Sequence, residues 1–318
     1  MTKKIKNSEL LKLKKNLSGE FRFDHLSKIM YATDASAYRE IPIGVATPKT
    51  KDDIQEIIGF VRENQTSIIP RGAGTSLAGQ VVGSGIVVDV SRHFNRIIEV
   101  NTREKWVRIE PGMVLTELNM ELNKHGVMFG PETSTANRCT MGGMLGNNSC
   151  GLHSLVHGSV RDHILSVKAI LADGTETEFS ALTEKEFQQK LKLKGLEGDI
   201  YRVVDRILSN AENRTEIEQQ YPHPSVPRRN NGYALDILAR MNPYTPNGEA
   251  FNMAKFIAGS EGTLAFITEM KLNVVELPPR EKALLCIHID KLEQAFRANL
   301  IALDFNPSAI ELMDKNIF

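Results

Sequence analysis

Glycine is concentrated in two parts of the chain, residues 71–85 and 130–151, which together hold ten of its 23 glycines. Hydroxyl side chains accompany the glycines in the first window, and hydroxyl and amide side chains accompany them in the second. Backbone without a Cβ approaches a ligand closely and can direct its N–H groups at it. The two windows therefore indicate two backbone-lined binding surfaces.

The first window reads Pro-Arg-Gly-Ala-Gly-Thr-Ser-Leu-Ala-Gly-Gln over residues 70–80 and follows a short apolar segment that predicts a strand. A dinucleotide-binding G-x-G-x-x-G needs a third glycine where Leu77 stands. A P-loop counted from Gly74 needs lysine where Gln80 stands. The remaining interpretation is a nest of backbone N–H groups that binds an anion, with pyrophosphate as its natural guest. A plain surface turn is the alternative.

The second window is suited to a flat, neutral ligand. Its paired glycines, Gly142 and Gly143, together with Gly146, let the backbone approach closely. Neutral hydrogen-bonding groups that suit a heterocycle edge or a ribityl chain are offered by Thr133, Asn147, Asn148 and Ser149.

A zinc site is the alternative for the same region, because Cys139, Cys150, His153, His157 and His163 lie close in sequence. No H-E-x-x-H or C-x-x-C spacing is present, and glycines flank the His153/His157 pair, which weakens the helix that such a pair requires. Histidines packed against glycine-rich backbone are the preferred interpretation, so we predict no metal ligands.

Composition excludes several classes of protein. The 39 basic and 39 acidic residues balance, which argues against nucleic-acid binding by phosphate neutralisation. No apolar run is long enough for a membrane span. Three cysteines without a C-x-x-C pair favour a reducing compartment. We therefore expect a cytoplasmic protein, associated at most peripherally with the inner face of the membrane through its lysine-rich N-terminal segment.

Apolar periodicity indicates strands and helices that position these windows. Strands are predicted at 41–47, 67–70, 85–90, 96–100 and 106–110, a hairpin at 164–179 around Asp173-Gly174, and a further strand at 264–275. Helices are predicted at 53–63, from Val114 to Leu122 and across 184–220, and the proline-rich segment 222–227 is expected to be a rigid loop. This pattern predicts an α+β fold with short mixed sheets.

The C-terminal residues suggest the beginning of another unit. A strand is predicted at 283–289, a helix at 291–304 and an apolar segment at 308–313, after which the sequence stops. Because these elements cannot close a core alone, we expect the start of a truncated substrate or cap domain. The predicted domain organisation is an N-terminal helical arm at 1–34, one domain at 35–277 with subdomains 35–100 and 101–277, and the start of the cap domain at 278–318.

Three ordered segments carry a resemblance to a known family. PRGAGTSLAGQ at 70–80, PETSTANRCTMGGMLGNNSCG at 131–151 and FIAGSEGTLAFITEMKL at 256–272 are similar to the PCMH-type FAD-binding domain of the vanillyl-alcohol-oxidase/p-cresol-methylhydroxylase superfamily. Within it the chain resembles the D-lactate dehydrogenase/glycolate oxidase branch of FAD-linked oxidases. That branch shows a basic-Asn-x-x-Gly-Tyr-x-Leu pattern, from which residues 229–235 depart by one position. The fold implied is two α/β subdomains around FAD.

The resemblance implies cofactor contacts in all three segments. They are Pro70, Arg71, Gly72, Ala73, Gly74, Thr75, Ser76 and Gln80 around the pyrophosphate, Pro131, Glu132, Thr133, Gly142, Gly143, Asn147, Asn148, Ser149 and Gly151 beside the ribityl chain and isoalloxazine, and Glu261, Gly262, Thr263, Leu264 and Ile267 beside the adenine half, with backbone near Val167 assisting. Members with histidyl-linked flavin have a histidine where this chain has Thr75, so we expect FAD without a covalent bond.

The resemblance also implies an activity. A D-2-hydroxy acid such as D-lactate or D-2-hydroxyglutarate would be oxidised to its 2-oxo acid, with electrons passing to a quinone, a cytochrome or an iron–sulfur domain. Catalytic residues, and any iron–sulfur cluster, are expected beyond Phe318, so this chain alone would bind FAD without a full active site. The candidates for binding a substrate carboxylate are Arg228, Arg229 and Tyr233, because arginine pairs bidentately with carboxylates. The alternative is that all three are exposed loop residues without a role in binding. A non-catalytic flavin-binding electron-transfer module is a second hypothesis, and a zinc-binding regulatory domain built on the Cys/His cluster is a third.

Overall fold

The computed structural model describes residues 5–226, 228–230, 232–315 and 317. The first four residues of the predicted arm, Pro227 of the proline-rich loop and Asn231 of the 229–235 pattern lie outside the described residues. The helices are α1 (Asn7–Asn16), α2 (His25–Met30), α3 (Lys51–Glu63), α4 (Leu115–Asn123), α5 (Met141–Asn147), α6 (Ser154–His157), α7 (Val160–His163), α8 (Glu184–Leu191), α9 (Leu196–Ser209), α10 (Ala211–Gln220), α11 (Leu235–Ala239), α12 (Ala254–Ile257) and α13 (Leu292–Leu303). The strands are β1 (Glu20–Arg22), β2 (Gly44–Thr47), β3 (Ile68–Arg71), β4 (Ile86–Asp89), β5 (Ile97–Asn101), β6 (Trp106–Ile109), β7 (Val127–Met128), β8 (Ile164–Ile170), β9 (Glu176–Leu182), β10 (Phe251–Asn252), β11 (Phe266–Asn273) and β12 (Val275–Glu276).

The first sheet has the strand order β1-β2-β4-β3, with β2 and β3 parallel to β4. Helix α3 covers it and begins at a capping box in which Thr50 and Asp53 satisfy each other's backbone N–H groups. Its apolar face and the segment before β1 form one core, made of Leu10, Leu13, Leu17, Phe21, Ile54, Ile57, Ile58 and residues of the sheet. Part of the predicted helical arm, including strand β1, therefore packs with the first sheet.

Asp53 joins the N-terminal segment to helix α3. Its carboxylate accepts hydrogen bonds from the backbone N–H groups of Ser18, Gly19 and Lys49, at 2.7–3.0 Å. Burial alone would raise the pKa of this carboxyl, but the hydrogen bonds from Lys49 and Ser18 outweigh burial and lower it. The carboxylate is thus kept charged where it serves as an acceptor.

The second sheet has the order β10-β9-β8-β11-β6-β5, and all its neighbouring strands run antiparallel. Strands β8 and β9 form the hairpin predicted around Asp173-Gly174, where Gly174 takes a φ of +89°. Along β11, buried and half-buried residues alternate, so one face packs on the larger core. Strand β5 belongs to this sheet, although the predicted subdomain boundary assigned residues 97–100 to the first subdomain.

The C-terminal segment differs from its prediction. Residues 283–289 form no strand, and Leu284 and Leu285 are almost fully exposed. A strand needs a neighbour for its N–H and C=O groups, and the described residues pair none with this segment. Helix α13 forms where predicted, yet none of its residues is buried. The described residues of the predicted cap domain thus form no buried core, and the assignment of 278–318 to such a domain stays a prediction.

Candidate functional site

The loop after β3, helix α5 and residues 259–262 meet at one place. A Cβ on Gly72 would lie 2.0 Å from Oγ1 of Thr140, the residue that precedes α5. The backbone N–H of Glu261 donates to the Gly146 carbonyl at 2.9 Å, and a Cβ on Gly262 would contact Pro70 at 3.3 Å. The three segments that the sequence singles out are therefore joined by close backbone contacts.

The loop of residues 72–76 has free backbone donors. None of its five backbone N–H groups donates a hydrogen bond to an acceptor in the described part of the chain. Gly74 has a φ of +68°, which turns the loop, and its carbonyl accepts from the Ala35 N–H at 3.0 Å. A short loop of such N–H groups, half-buried except at the exposed Ala73, suits the oxygens of a phosphate or pyrophosphate. The residues present fit an anionic group at this loop.

Arg71 lies beneath this loop. Its guanidinium stacks on the Tyr31 ring at 5.1 Å, and Nη1 donates to the carbonyls of Tyr31 and Val81 at 3.4 and 3.5 Å. A Cβ on Gly74 would lie 2.5 Å from Nη2. Burial lowers the pKa of Arg71, and the nearby Tyr31 and Asp89 oppose that shift. These contacts give Arg71 a supporting role under the nest.

The second window folds as helix α5 followed by a turn. Asn148 ends the helix with a φ of +48°, and the Gly142 N–H donates to the Pro111 carbonyl at 2.7 Å. A Cβ on Gly142 would meet Pro111 at 2.6 Å, and one on Gly151 would meet the Glu132 carbonyl oxygen at 2.0 Å. Gly143 is different, because it is exposed and a Cβ there would have only Thr140 Oγ1 near it, at 3.4 Å. Gly143 is thus the paired glycine that presents bare backbone outward.

Polar side chains of the second window form hydrogen bonds with one another and with His153. Asn147 Nδ2 donates to Ser149 Oγ at 3.0 Å, and Thr133 Oγ1 lies 3.1 Å from Thr135 Oγ1. Glu132 pairs with Nδ1 of His153. These contacts fix side chains of the second window, and whether they touch a ligand stays a prediction.

The residues of the zinc alternative point to different partners. Cys139 is buried beside Thr133, His163 Nε2 bonds to the His157 carbonyl at 2.7 Å, and His153 pairs with Glu132. Burial lowers the pKa of both His157 and His163. Within the described ranges, no group of three or more histidine, cysteine, aspartate or glutamate side chains could hold a metal ion.

The substrate candidates separate into three environments. Arg229 forms a buried ion pair with Asp236, with 2.5 Å between Nη1 and Oδ2. Arg228 is exposed, and its Nε lies 3.3 Å from Cys150 Sγ. Tyr233 places its hydroxyl 2.7 Å from Thr263 Oγ1 in the third segment. The structure brings these residues beside the second and third segments, but it commits Arg229 to an internal partner.

Asn230 and Arg161, which are not in the predicted site, connect these segments. Asn148 and Asn230 exchange hydrogen bonds, since Asn148 Nδ2 donates to Asn230 Oδ1 at 2.7 Å and Asn230 Nδ2 donates to the Asn148 carbonyl at 3.1 Å. Arg161 is buried and donates to carbonyls of the 229–232 and 255–258 segments. Asn230 lies inside the pattern that the sequence singled out, whereas nothing in the sequence marks Arg161.

Comparison with known proteins identifies a family whose profile matches part of the chain. The profile of the family described as "FAD binding domain" matches residues 42–180, which span the nest and the second window. These residues of the chain are similar to that FAD binding domain. FAD as the predicted cofactor is therefore confirmed, while its non-covalent attachment and the individual contact residues stay predictions.

Similar sequences extend over nearly the whole chain. It is 32% identical to the D-2-hydroxyglutarate dehydrogenases of Pseudomonas putida and Escherichia coli, over 94% of its own length and 29% of theirs. It is 24% identical to glycolate oxidase subunit GlcD of Bacillus subtilis, over 94% of this chain and 52% of that one. The predicted resemblance to the FAD-linked oxidases is confirmed, and the chain spans less than a third of the dehydrogenases' length.

Solved structures support the fold of this chain. An alkyldihydroxyacetonephosphate synthase superposes with a TM-score of 0.58 at 20% identity, covering 86% of this chain and 42% of that one. Physcomitrella patens BBE-like 1 variant D396N superposes with a TM-score of 0.56 at 16% identity, covering 84% and 44%. The predicted α+β class with a PCMH-type fold is confirmed. No helix in the described ranges has the length and apolar character to cross a membrane.

Replacing Gly143 with alanine tests whether the exposed surface of α5 meets the flavin. We expect the dissociation constant for FAD to rise about tenfold to hundredfold, because a methyl group pushed into a packed contact costs about 1–3 kcal/mol. Stability should not fall, since the Cβ has open space and alanine favours a helix. Quenching of flavin fluorescence during titration measures the affinity.

The matched control is Gly59→Ala in helix α3, where a Cβ meets nothing within 4 Å. This variant makes the same change within a helix, away from the three segments, and should bind FAD as the unaltered chain does. Equal FAD affinity in both variants would remove Gly143 from the cofactor contacts.

Proposed function

We propose that this chain is the FAD-binding part of a dehydrogenase that oxidises a D-2-hydroxy acid to the 2-oxo acid, with D-2-hydroxyglutarate as the first substrate to test. The observation that carries the proposal is the junction of the unpartnered N–H groups of residues 72–76 with α5 and the 259–262 segment. The likeness to D-2-hydroxyglutarate dehydrogenases over 94% of the chain supports the substrate class.

FAD, when bound, supplies the acceptor for the hydride that leaves the substrate α-carbon. The chain's own residues hold and orient it. The nest at 72–76 binds the pyrophosphate through N–H groups, which explains how an anion is bound by a chain of zero net charge. Thr75 stands where a covalent link would need histidine, so binding is non-covalent.

Arg228 is the residue proposed to bind a substrate carboxylate. It is exposed, and it has no ion pair with a carboxylate among the described residues. Arg229, its neighbour, is occupied by Asp236. Both nitrogens at the end of the Arg228 guanidinium remain available for a bidentate pair. The electrons then pass to an acceptor that is a quinone, a cytochrome or an iron–sulfur domain.

Anaerobic absorption spectroscopy of the purified chain with FAD tests the proposal. We expect a bound flavin spectrum that D-2-hydroxyglutarate perturbs and that L-2-hydroxyglutarate leaves unchanged. The chain alone should bleach slowly or not at all, because it spans only 29% of the length of the dehydrogenases to which it is similar. The D-isomer should bleach the flavin when the whole protein is used.

D-Lactate and glycolate form the other arms of that experiment. If D-lactate bleaches the flavin of the whole protein as fast as D-2-hydroxyglutarate does, then the substrate does not need a second carboxylate. A flavin that no hydroxy acid reduces in the whole protein would instead favour a non-catalytic electron-transfer module.

A further inference from the structure

Arg161 is a buried cation that none of the assigned functions uses. It lies in helix α7 with 7% of its surface exposed, and within the described ranges it has no ion pair with a carboxylate. Its guanidinium instead donates to main-chain carbonyls. Burial lowers its pKa, while Asp236 and Asp162 nearby oppose the shift. Burial of a charge costs free energy unless hydrogen bonds compensate for it, so the groups that Arg161 contacts indicate its role.

The guanidinium binds two separate segments of the chain. Nε donates to the Lys255 carbonyl at 3.0 Å, just before the third segment, and Nη2 donates to the Ala258 carbonyl at 2.6 Å, within that segment. Nη1 and Nη2 also donate to the carbonyls of Arg229 and Gly232 at 3.4 Å. One rigid, planar group thus sets the distance between residues 255–258 and the loop at 228–233.

The backbone of Arg161 extends the same connection to the second window. Its N–H donates to Asn148 Oδ1 at 2.8 Å, and the side-chain amide of Asn148 pairs with Asn230. A Cβ on Gly259 would lie 2.6 Å from Nη2, so that glycine, at a φ of +89°, admits the guanidinium. Arg161 therefore contacts the end of α5, the 228–233 loop and the third segment at once.

We infer that Arg161 is a positioning residue that couples FAD binding to the conformation of the 228–233 loop, which carries Arg228. FAD fixes the second window and the third segment. Arg161 passes that constraint to the loop through its carbonyl contacts together with Asn148, which the Arg161 N–H holds against Asn230. The inference rests on the proposed function only in treating this loop as the one that binds the substrate carboxylate.

Limited trypsin digestion of the full chain tests the coupling, with cleavage after Arg228 and Arg229 followed by mass spectrometry. Cleavage of a transiently opened loop tracks the population of the open form. At free FAD of about 100 times its Kd, complete coupling slows cleavage about 100-fold. We expect at least about tenfold protection in the unaltered chain and less than about threefold in Arg161→Lys. Each variant is measured at the same multiple of its own Kd.

Arg202→Lys is the matched control. Arg202 also donates to two main-chain carbonyls, those of Leu191 and Leu193, at 2.8 and 2.7 Å, but in helix α9 away from the loop. It should keep the full protection by FAD. A role in stability alone would raise cleavage of Arg161→Lys with and without FAD and leave the protection ratio unchanged, which would overturn the inference.

Asn230→Ala keeps the test decisive if Arg161→Lys does not fold. It removes the Asn148–Asn230 pair without leaving a buried charge, and we expect it to reduce the protection ratio at least threefold. Absence of FAD protection in the unaltered chain, or full protection in Asn230→Ala, would also overturn the coupling. Because no hydroxy acid is used, failure of the proposed substrate leaves these results unaffected.

Discussion

Arg229→Met lowers the free energy of unfolding by about 3–5 kcal/mol, whereas Arg228→Met changes it by no more than about 0.5 kcal/mol. The reason is Asp236, whose side chain is 6% exposed and lies 2.5 Å from Arg229 Nη1. Without Arg229 that carboxylate is buried, and among the described residues it keeps the ion pair with Arg240, at 3.8 Å, and the field of Arg161 nearby, which has no ion pair with it. Arg228 is exposed, and its loss leaves no buried charge. Urea unfolding followed by far-UV circular dichroism measures both values.

The double variant Arg229→Met with Asp236→Leu is the control for this mechanism. It removes both charges, so it should recover most of the stability that Arg229→Met loses. If the double variant is as unstable as Arg229→Met, the loss comes from packing of the arginine stem and not from the stranded carboxylate.

The same pair of variants separates the two arginines by function. Arg228→Met should keep FAD affinity and abolish the spectral change that D-2-hydroxyglutarate causes in the bound flavin. Arg229→Met should weaken FAD and substrate only as far as the loop unfolds, and lower temperature should restore both. A normal dicarboxylate response in Arg228→Met would remove that residue from substrate recognition.

The elements around the site could be predicted because local signals and tertiary packing agree in them. The capping box of Thr50 and Asp53, the period of Ile54, Ile57 and Val61, and the Asp173-Gly174 turn each indicate one local structure, and the core uses that structure. The predicted strand at 283–289 fails for the opposite reason. Its apolar residues satisfy the local pattern, but a strand also needs a neighbouring strand, which a single segment cannot reveal.

The role of each glycine could be predicted only in part. The sequence shows that the windows need bare backbone, but it cannot show whether a ligand or another part of the chain requires it. Gly72 faces Thr140, Gly142 faces Pro111 and Gly151 faces the Glu132 carbonyl, so these three serve contacts within the protein. Gly143 faces outward. Contacts between residues far apart in sequence decide whether a glycine serves the chain or a ligand, and local sequence does not show such contacts. The role of Arg161 could not be predicted for the same reason, because its partners lie 68–97 residues away.

Gly151→Ala, a change made inside the protein, is expected to damage FAD binding more than Gly143→Ala does. Its Cβ would lie 2.0 Å from the Glu132 carbonyl oxygen, and a carbon and a carbonyl oxygen approach no closer than about 3.3 Å. Both atoms belong to, or are fixed by, the main chain, so no rotamer change relieves the clash. Residues 130–133 and 149–151 must separate by about 1 Å.

That separation should appear in two measurements. The free energy of unfolding should fall by about 1–3 kcal/mol, as for an overpacked core. The Kd for FAD should rise at least about 100-fold, because a shift of about 1 Å misplaces contacts on both sides of the second window at once. Gly59→Ala is again the control, since its Cβ has no neighbour within 4 Å.

Gly151→Ala and Gly143→Ala together distinguish two reasons for a glycine. Where a ligand requires the glycine, the alanine variant binds FAD more weakly but keeps its free energy of unfolding. Where the chain itself requires the glycine, the alanine variant loses both FAD affinity and stability. If Gly151→Ala kept its stability and lost only FAD, Glu132 would be free to move and the second window would be a flexible surface that FAD itself orders. If neither variant altered the Kd for FAD, the flavin would lie away from α5, on the nest at 72–76 and the third segment alone.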